Sequence, residues 1–74
     1  MPDALDLQIL RLLHQGHTEA AIAKVVHTSY RTVQRRIQRL SREFGVASRF
    51  ALGAAAQRRG LLDDEPRASE SVRD

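Results

Sequence analysis

Apolar residues recur at helical spacing in four successive stretches of the chain, and none of them shows the strict alternation of a half-buried strand. Over residues 4–14, Leu5, Ile9, Leu12 and Leu13 form one stripe, with Leu10 beside it. Asp3 is a good N-cap for this helix, and Asp6, three residues on, can close a short capping box. Gln15-Gly16 ends it, with Gly16 suited to the left-handed closing position. Thr18 caps a second helix over residues 19–26. There Ala20, Ala21 and Ala23 are small, and Ile22, Val25 and Val26 supply apolar contacts. His27-Thr28 is a turn. Ser29 caps a third helix over residues 29–44, whose narrow stripe is Val33, Ile37, Leu40 and Phe44, and Gly45 stops it with Val46 following. Thr32 stands where a capping box would have Glu. Ser48 caps a fourth helix over residues 49–59. Phe50, Ala51, Leu52, Ala54, Ala55 and Ala56 make it apolar on much of its circumference, and Gly60 ends it. Leu61-Leu62 can fold back on the core. The pattern predicts an all-α, four-helix domain over residues 1–62.

Residues 63–74 carry no periodic stripe and hold Asp63, Asp64, Glu65, Glu70 and Asp74 against Arg67 and Arg73. They read as an acidic, disordered C-terminal tail. The whole chain of 74 residues has a net charge of +3, but the first 62 residues hold ten bases and four acids, or +6. That asymmetry favours a polyanion as partner of the folded part. The polar side of the third helix sharpens this. Arg31, Gln34, Arg35, Gln38, Arg39 and Arg42 follow one another with no acid on that side before Glu43. Arginine can pair with guanine, glutamine with adenine, and both can hold phosphate, so this face suits the major groove of DNA.

Other chemistries find little support. There is no cysteine, hence no disulfide framework and no thiolate metal site. His14, His17 and His27 lack the partners a metal needs and read as surface residues. Asp63-Asp64-Glu65 reads as solvated rather than cation-binding. Ser29 and Thr32 have no basic partner and read as caps rather than nucleophiles. Tyr30 and Phe50 read as packing at the edge of the core. No enzyme, cofactor, metal or small-molecule ligand is expected. No apolar run is long enough to span a bilayer, so no membrane partner is expected and the cytoplasm (nucleoid) is the expected location.

Two short helices with a tight turn, the second longer and basic, make a helix-turn-helix. The residues go further. Ile9-Leu10-x-Leu12-Leu13-x-x-Gly16, Ile22-Ala23, Ser29-x-x-Thr32-Val33, and Leu40 with Phe44-Gly45-Val46-x-Ser48-Arg49 closely resemble the DNA-binding domain of LuxR/GerE-type bacterial transcription regulators. The resemblance runs without a gap from about residue 3 to 62. It implies that Gln34, Arg35 and Gln38 read bases. It also implies that Ser29, Arg31, Thr32, Arg36, Arg39 and Arg42, with Lys24 and Arg49, contact the DNA backbone. The fourth helix commonly forms the dimer contact in this family, which here would use Phe50, Ala51, Ala54, Ala55 and Arg58, with Gly53 nearby. Double-stranded DNA, a second copy of the chain and RNA polymerase are the partners implied. Such a module occurs both free-standing and behind an upstream regulatory domain, and Met1 close to the domain is compatible with either. The family usually has Glu at the position of Ala21, Gly at that of His27 and an apolar residue at that of Thr28, so the turn is expected to be looser or differently closed. The rival reading is a helical protein-interaction module docking on the transcription machinery without its own DNA specificity. It would need an apolar groove on the third helix, where charge stands instead.

Overall fold

A computed structural model describes residues 2–62. The stretch 63–74, expected to be a disordered tail, lies outside the described residues. Four helices make up the described part: α1 (Ala4–His14), α2 (Glu19–Val25), α3 (Tyr30–Phe44) and α4 (Arg49–Arg58). The three boundary differences from the sequence reading are one residue each, with Val26 and Arg59 serving as C-caps and Ser29 as N-cap rather than as helical residues.

Each helix begins on a side chain that satisfies a backbone N–H otherwise left without a partner. The Asp3 carboxylate accepts from the Asp6 N–H at 2.8 Å, and the Asp6 carboxylate accepts from the Asp3 N–H at 3.1 Å, so the capping box is complete. Thr18 and Ser48 accept from the N–H groups of Ala21 and Ala51 at 3.1 and 3.0 Å. Ser29 accepts from the Thr32 N–H at 3.1 Å, and its hydroxyl donates to the Thr32 hydroxyl at 2.9 Å. Thr32 thus bonds the Ser29 hydroxyl and not its backbone N–H, and the capping box stays incomplete.

All four helices end the same way, with paired hydrogen bonds that fold the chain back over its last carbonyls. In α1 the N–H groups of His17 and Gly16 donate to the carbonyls of Leu12 and Leu13. In α3 those of Val46 and Gly45 donate to Ser41 and Arg42, and in α4 those of Leu61 and Gly60 to Ala56 and Gln57. The α2 ending is equivalent: Thr28 donates to Ala23 at 3.0 Å and His27 to Lys24 at 3.3 Å. The left-handed residue is glycine in three of these motifs and His27, at φ 58°, in the fourth. The turn is therefore closed as a glycine would close it, with a strained residue in place, rather than loosened.

Ile9, Leu10, Leu13, Ile22, Val33, Ile37, Leu40, Leu52, Ala56 and Leu62 form the core. Leu10 is at its centre, whereas Leu5 and Leu12 pack at its border. Leu62 folds back onto it as expected. α2 packs against α3, and α4 packs chiefly along α1. Gly53 makes that last approach close. A Cβ built on it would lie 3.2 Å from the His14 Cα. Among the described residues no helix is long and apolar enough to cross a membrane.

Candidate nucleic-acid interface

The core stripe of α3 fixes which side of the helix is free. With Val33, Ile37 and Leu40 buried, a period of 3.6 residues places Arg31, Arg35, Gln38 and Arg42 along the opposite ridge. All four are exposed. None of their side chains makes a hydrogen bond or ion pair with another described residue. The helix has 15 residues, so it is about 22 Å long and fits along a stretch of major groove. Open depressions flank the ridge. One is lined by Thr32, Arg35, Arg36, Arg39 and Arg42. The other lies between α3 and the start of α4, and its lining includes Gln38, Ser41, Arg42, Ser48 and Arg49.

Gln34 lies on the flank of the ridge and is half-buried. Its amide Nε2 donates to the Tyr30 hydroxyl at 3.3 Å, one helical turn back. That leaves Oε1 to accept and one N–H to donate, the pair that recognises adenine. Tyr30 is half-exposed and does not close the core's edge as expected. An i, i+4 pairing of this kind is readable from spacing.

Two arginines expected on phosphate are engaged elsewhere. Arg36 Nη1 lies 2.8 Å from both carboxylate oxygens of Asp3 and 3.1 Å from Asp6 Oδ1. Arg39 Nη2 donates to Asp6 Oδ2, and its Nε is 3.5 Å from Glu43. Asp6 is fully buried, its charge matched by the two guanidinium groups. The Asp6 N–H, and then Arg36, hold the Asp3 carboxyl below the usual carboxylate range, and the two acids raise Arg36. The cationic face of α3 is thus interrupted by acids after all, from a different helix.

Of the other backbone-contact candidates, Lys24 is exposed on α2, and its side chain makes no hydrogen bond or ion pair with a described residue. Ser29 and Thr32 sit together at the start of α3. Arg49 pairs with Glu19 at 3.1 Å, tying the start of α4 to that of α2, while its side chain stays 60% exposed.

The expected dimer face is divided. Ala55 is fully buried and Gly53 is enclosed against α1, so neither is available to a second copy. Both small residues serve packing within the chain. Ala51 and Ala54 are half-buried, and Arg58 and Phe50 are exposed. Phe50 is 86% exposed and is no part of the core's edge. His14, His17 and His27 are on the surface as expected. Among the described residues no group of three His, Cys, Asp or Glu is placed to hold a metal ion.

Comparison with known proteins agrees with this geometry. The model of the homeodomain-like domain matches residues 7–49, which take in most of α1, all of α2 and α3, and the start of α4. The chain is 43% identical over 65 residues to the bialaphos biosynthetic pathway regulatory protein of Streptomyces hygroscopicus. That alignment covers 81% of this chain but 25% of the relative, so the chain spans about a quarter of that protein's length. No solved structure matches.

Proposed function

The chain belongs to the homeodomain-like helix-turn-helix family, and from that premise we propose that it is the sequence-specific DNA-binding part of a LuxR/GerE-type transcription regulator. One observation carries the reading: the open ridge of Arg31, Arg35, Gln38 and Arg42 on α3, with no side-chain partner among the described residues and no apolar residue along it. α3 enters the major groove, and α2 braces it from behind. Arg35, Gln38 and Gln34 read base edges. Arg31 and Arg42, with Lys24, Arg49, Ser29 and Thr32 at the edges, hold phosphates. The LuxR/GerE assignment rests on the run of matching residues from Ile9 to Arg49, and the regulatory role on the name of the Streptomyces relative.

The chain acts as a dimer through the open side of α4, with Phe50, Ala51, Ala54 and Arg58 at the contact. An exposed Phe beside two alanines is apolar surface that a second copy would cover. Two copies would place their α3 helices on half-sites about 34 Å apart. The test is selection of bound duplexes from a random DNA pool. A recovered sequence with two related halves one helical turn apart supports both readout and dimer. A single short site supports readout by a monomer and removes the dimer. No enrichment over the starting pool contradicts the proposal.

A further inference from the structure

The arginines of α3 fall into two sets. The side chains of Arg31, Arg35 and Arg42 have no partner among the described residues, whereas Arg36 and Arg39 are held by Asp3, the N-cap of α1, and by Asp6 within it. The two sets are not on separate surfaces. Arg36 and Arg39 line the same open depression as Thr32, Arg35 and Arg42, on the flank of the ridge that would face DNA. Without the two acids, five arginines and one acid would present themselves along this helix.

We propose that Asp3 and Asp6 set the sequence-independent affinity of the DNA interface, acting by withholding Arg36 and Arg39 from phosphate. The inference rests on the DNA-binding reading given above. An arginine on phosphate strengthens cognate and random duplexes alike, because the phosphate backbone is common to both. Discrimination is the difference between the two affinities. Withholding two phosphate contacts lowers both affinities equally in free energy, so the acids act on how tightly the protein holds any duplex and not on which duplex it prefers. The geometry suits withholding. Asp3 faces Arg36 with both oxygens 2.8 Å from Nη1, so that guanidinium already has an anionic pair of oxygens where it would otherwise seek those of a phosphate. Asp6 is buried and cannot be hydrated in exchange, so releasing Arg36 or Arg39 to DNA would take from a buried carboxylate one of its two partners. Asp3 remains charged well into the acid range for the reasons given above. A clamp that only joined α1 to α3 would have no effect on the salt dependence of DNA binding, and this separates the two roles.

The experiment uses the full chain and a random-sequence duplex, with affinity measured over a series of salt concentrations. Asp3→Asn keeps a good N-cap while removing the charge. It is expected to tighten binding at low salt and to steepen the logarithmic salt slope by about 0.9, the increment for one more neutralised phosphate. In an Arg36→Ala background the same substitution is expected to leave the slope unchanged. A second comparison does not depend on Asp3. Arg36→Ala alone is expected to leave the slope as in the unsubstituted chain, whereas Arg42→Ala flattens it by about 0.9. The inference is overturned if Asp3→Asn leaves the slope unaltered, if it steepens it equally with and without Arg36, or if Arg36→Ala flattens it as much as Arg42→Ala. Failure of the unsubstituted chain to bind any duplex at low salt would instead remove the DNA-binding reading, and this inference with it.

Discussion

His27 is in the left-handed region, at φ 58°, and closes α2 with the two hydrogen bonds that glycines close in the other three helices. A non-glycine residue there costs roughly 1–2 kcal/mol. Replacing it with Gly returns that strain but frees the unfolded chain by roughly 0.4–1 kcal/mol. The net expectation for His27→Gly is a gain of about 0.5–1 kcal/mol, seen in a thermal melt as a rise of roughly 3–6 °C for a chain of this size. Asp3 gives a second prediction at this scale. Its carboxyl is lowered in the folded state, first by the Asp6 N–H and then by Arg36. Its contribution is therefore fully present above the ordinary carboxylate value of about 3.9 and is lost as the pH falls through the lowered folded value. The difference in thermal midpoint between the unsubstituted chain and Asp3→Asn should be constant at neutral pH and shrink progressively in acid below pH about 4. A difference that grew on acidification would contradict the pairing. The residues behind these two predictions were unequally visible in the sequence. The capping box at Asp3-Asp6 and the departure at His27 are local patterns and were readable. The engagement of the two acids with Arg36 and Arg39 spans 30 residues or more, and no local spacing announces it.

At the scale of elements, caps and stripes told where each helix begins and ends to within a residue, because those signals act within one or two turns. Which helix a small-residue face packs against is a tertiary matter, and there the sequence misled. Gly53 and Ala55 suggested a symmetric mate, yet Gly53 lies against α1 of the same chain and Ala55 is buried within it. Opposing magnitudes decide what substitution at Gly53 does. Alanine gains about 1 kcal/mol of helix propensity, and its Cβ meets the His14 Cα at 3.2 Å, a backbone atom that moves only with its helix. Gly53→Ala is therefore expected to be close to neutral. Gly53→Val adds two more carbons at the same point and, by overpacking, should cost about 2 kcal/mol, read in urea unfolding as a lower midpoint at unchanged slope. A neutral Val variant would mean that α4 does not lie this close to α1.

For the whole molecule, the core sets the direction of α3, and the ion pairs with α1 set which of its cations face outward unengaged. The sequence placed the basic face correctly but could not sort its arginines, since sorting needs the neighbouring helix. Readout and positioning are separable by experiment. Arg35, at the middle of the open ridge, is exposed and has no partner among the described residues. The most direct test is the affinity of Arg35→Ala for the duplex recovered by selection, set beside its affinity for a random duplex at the same salt. If Arg35 makes a paired contact to a base edge, the selected duplex should lose roughly 1–3 kcal/mol and the random one distinctly less, with preference relaxed at one base pair. Equal losses on both duplexes would show that Arg35 holds only phosphate and that α3 does not read sequence through its central ridge.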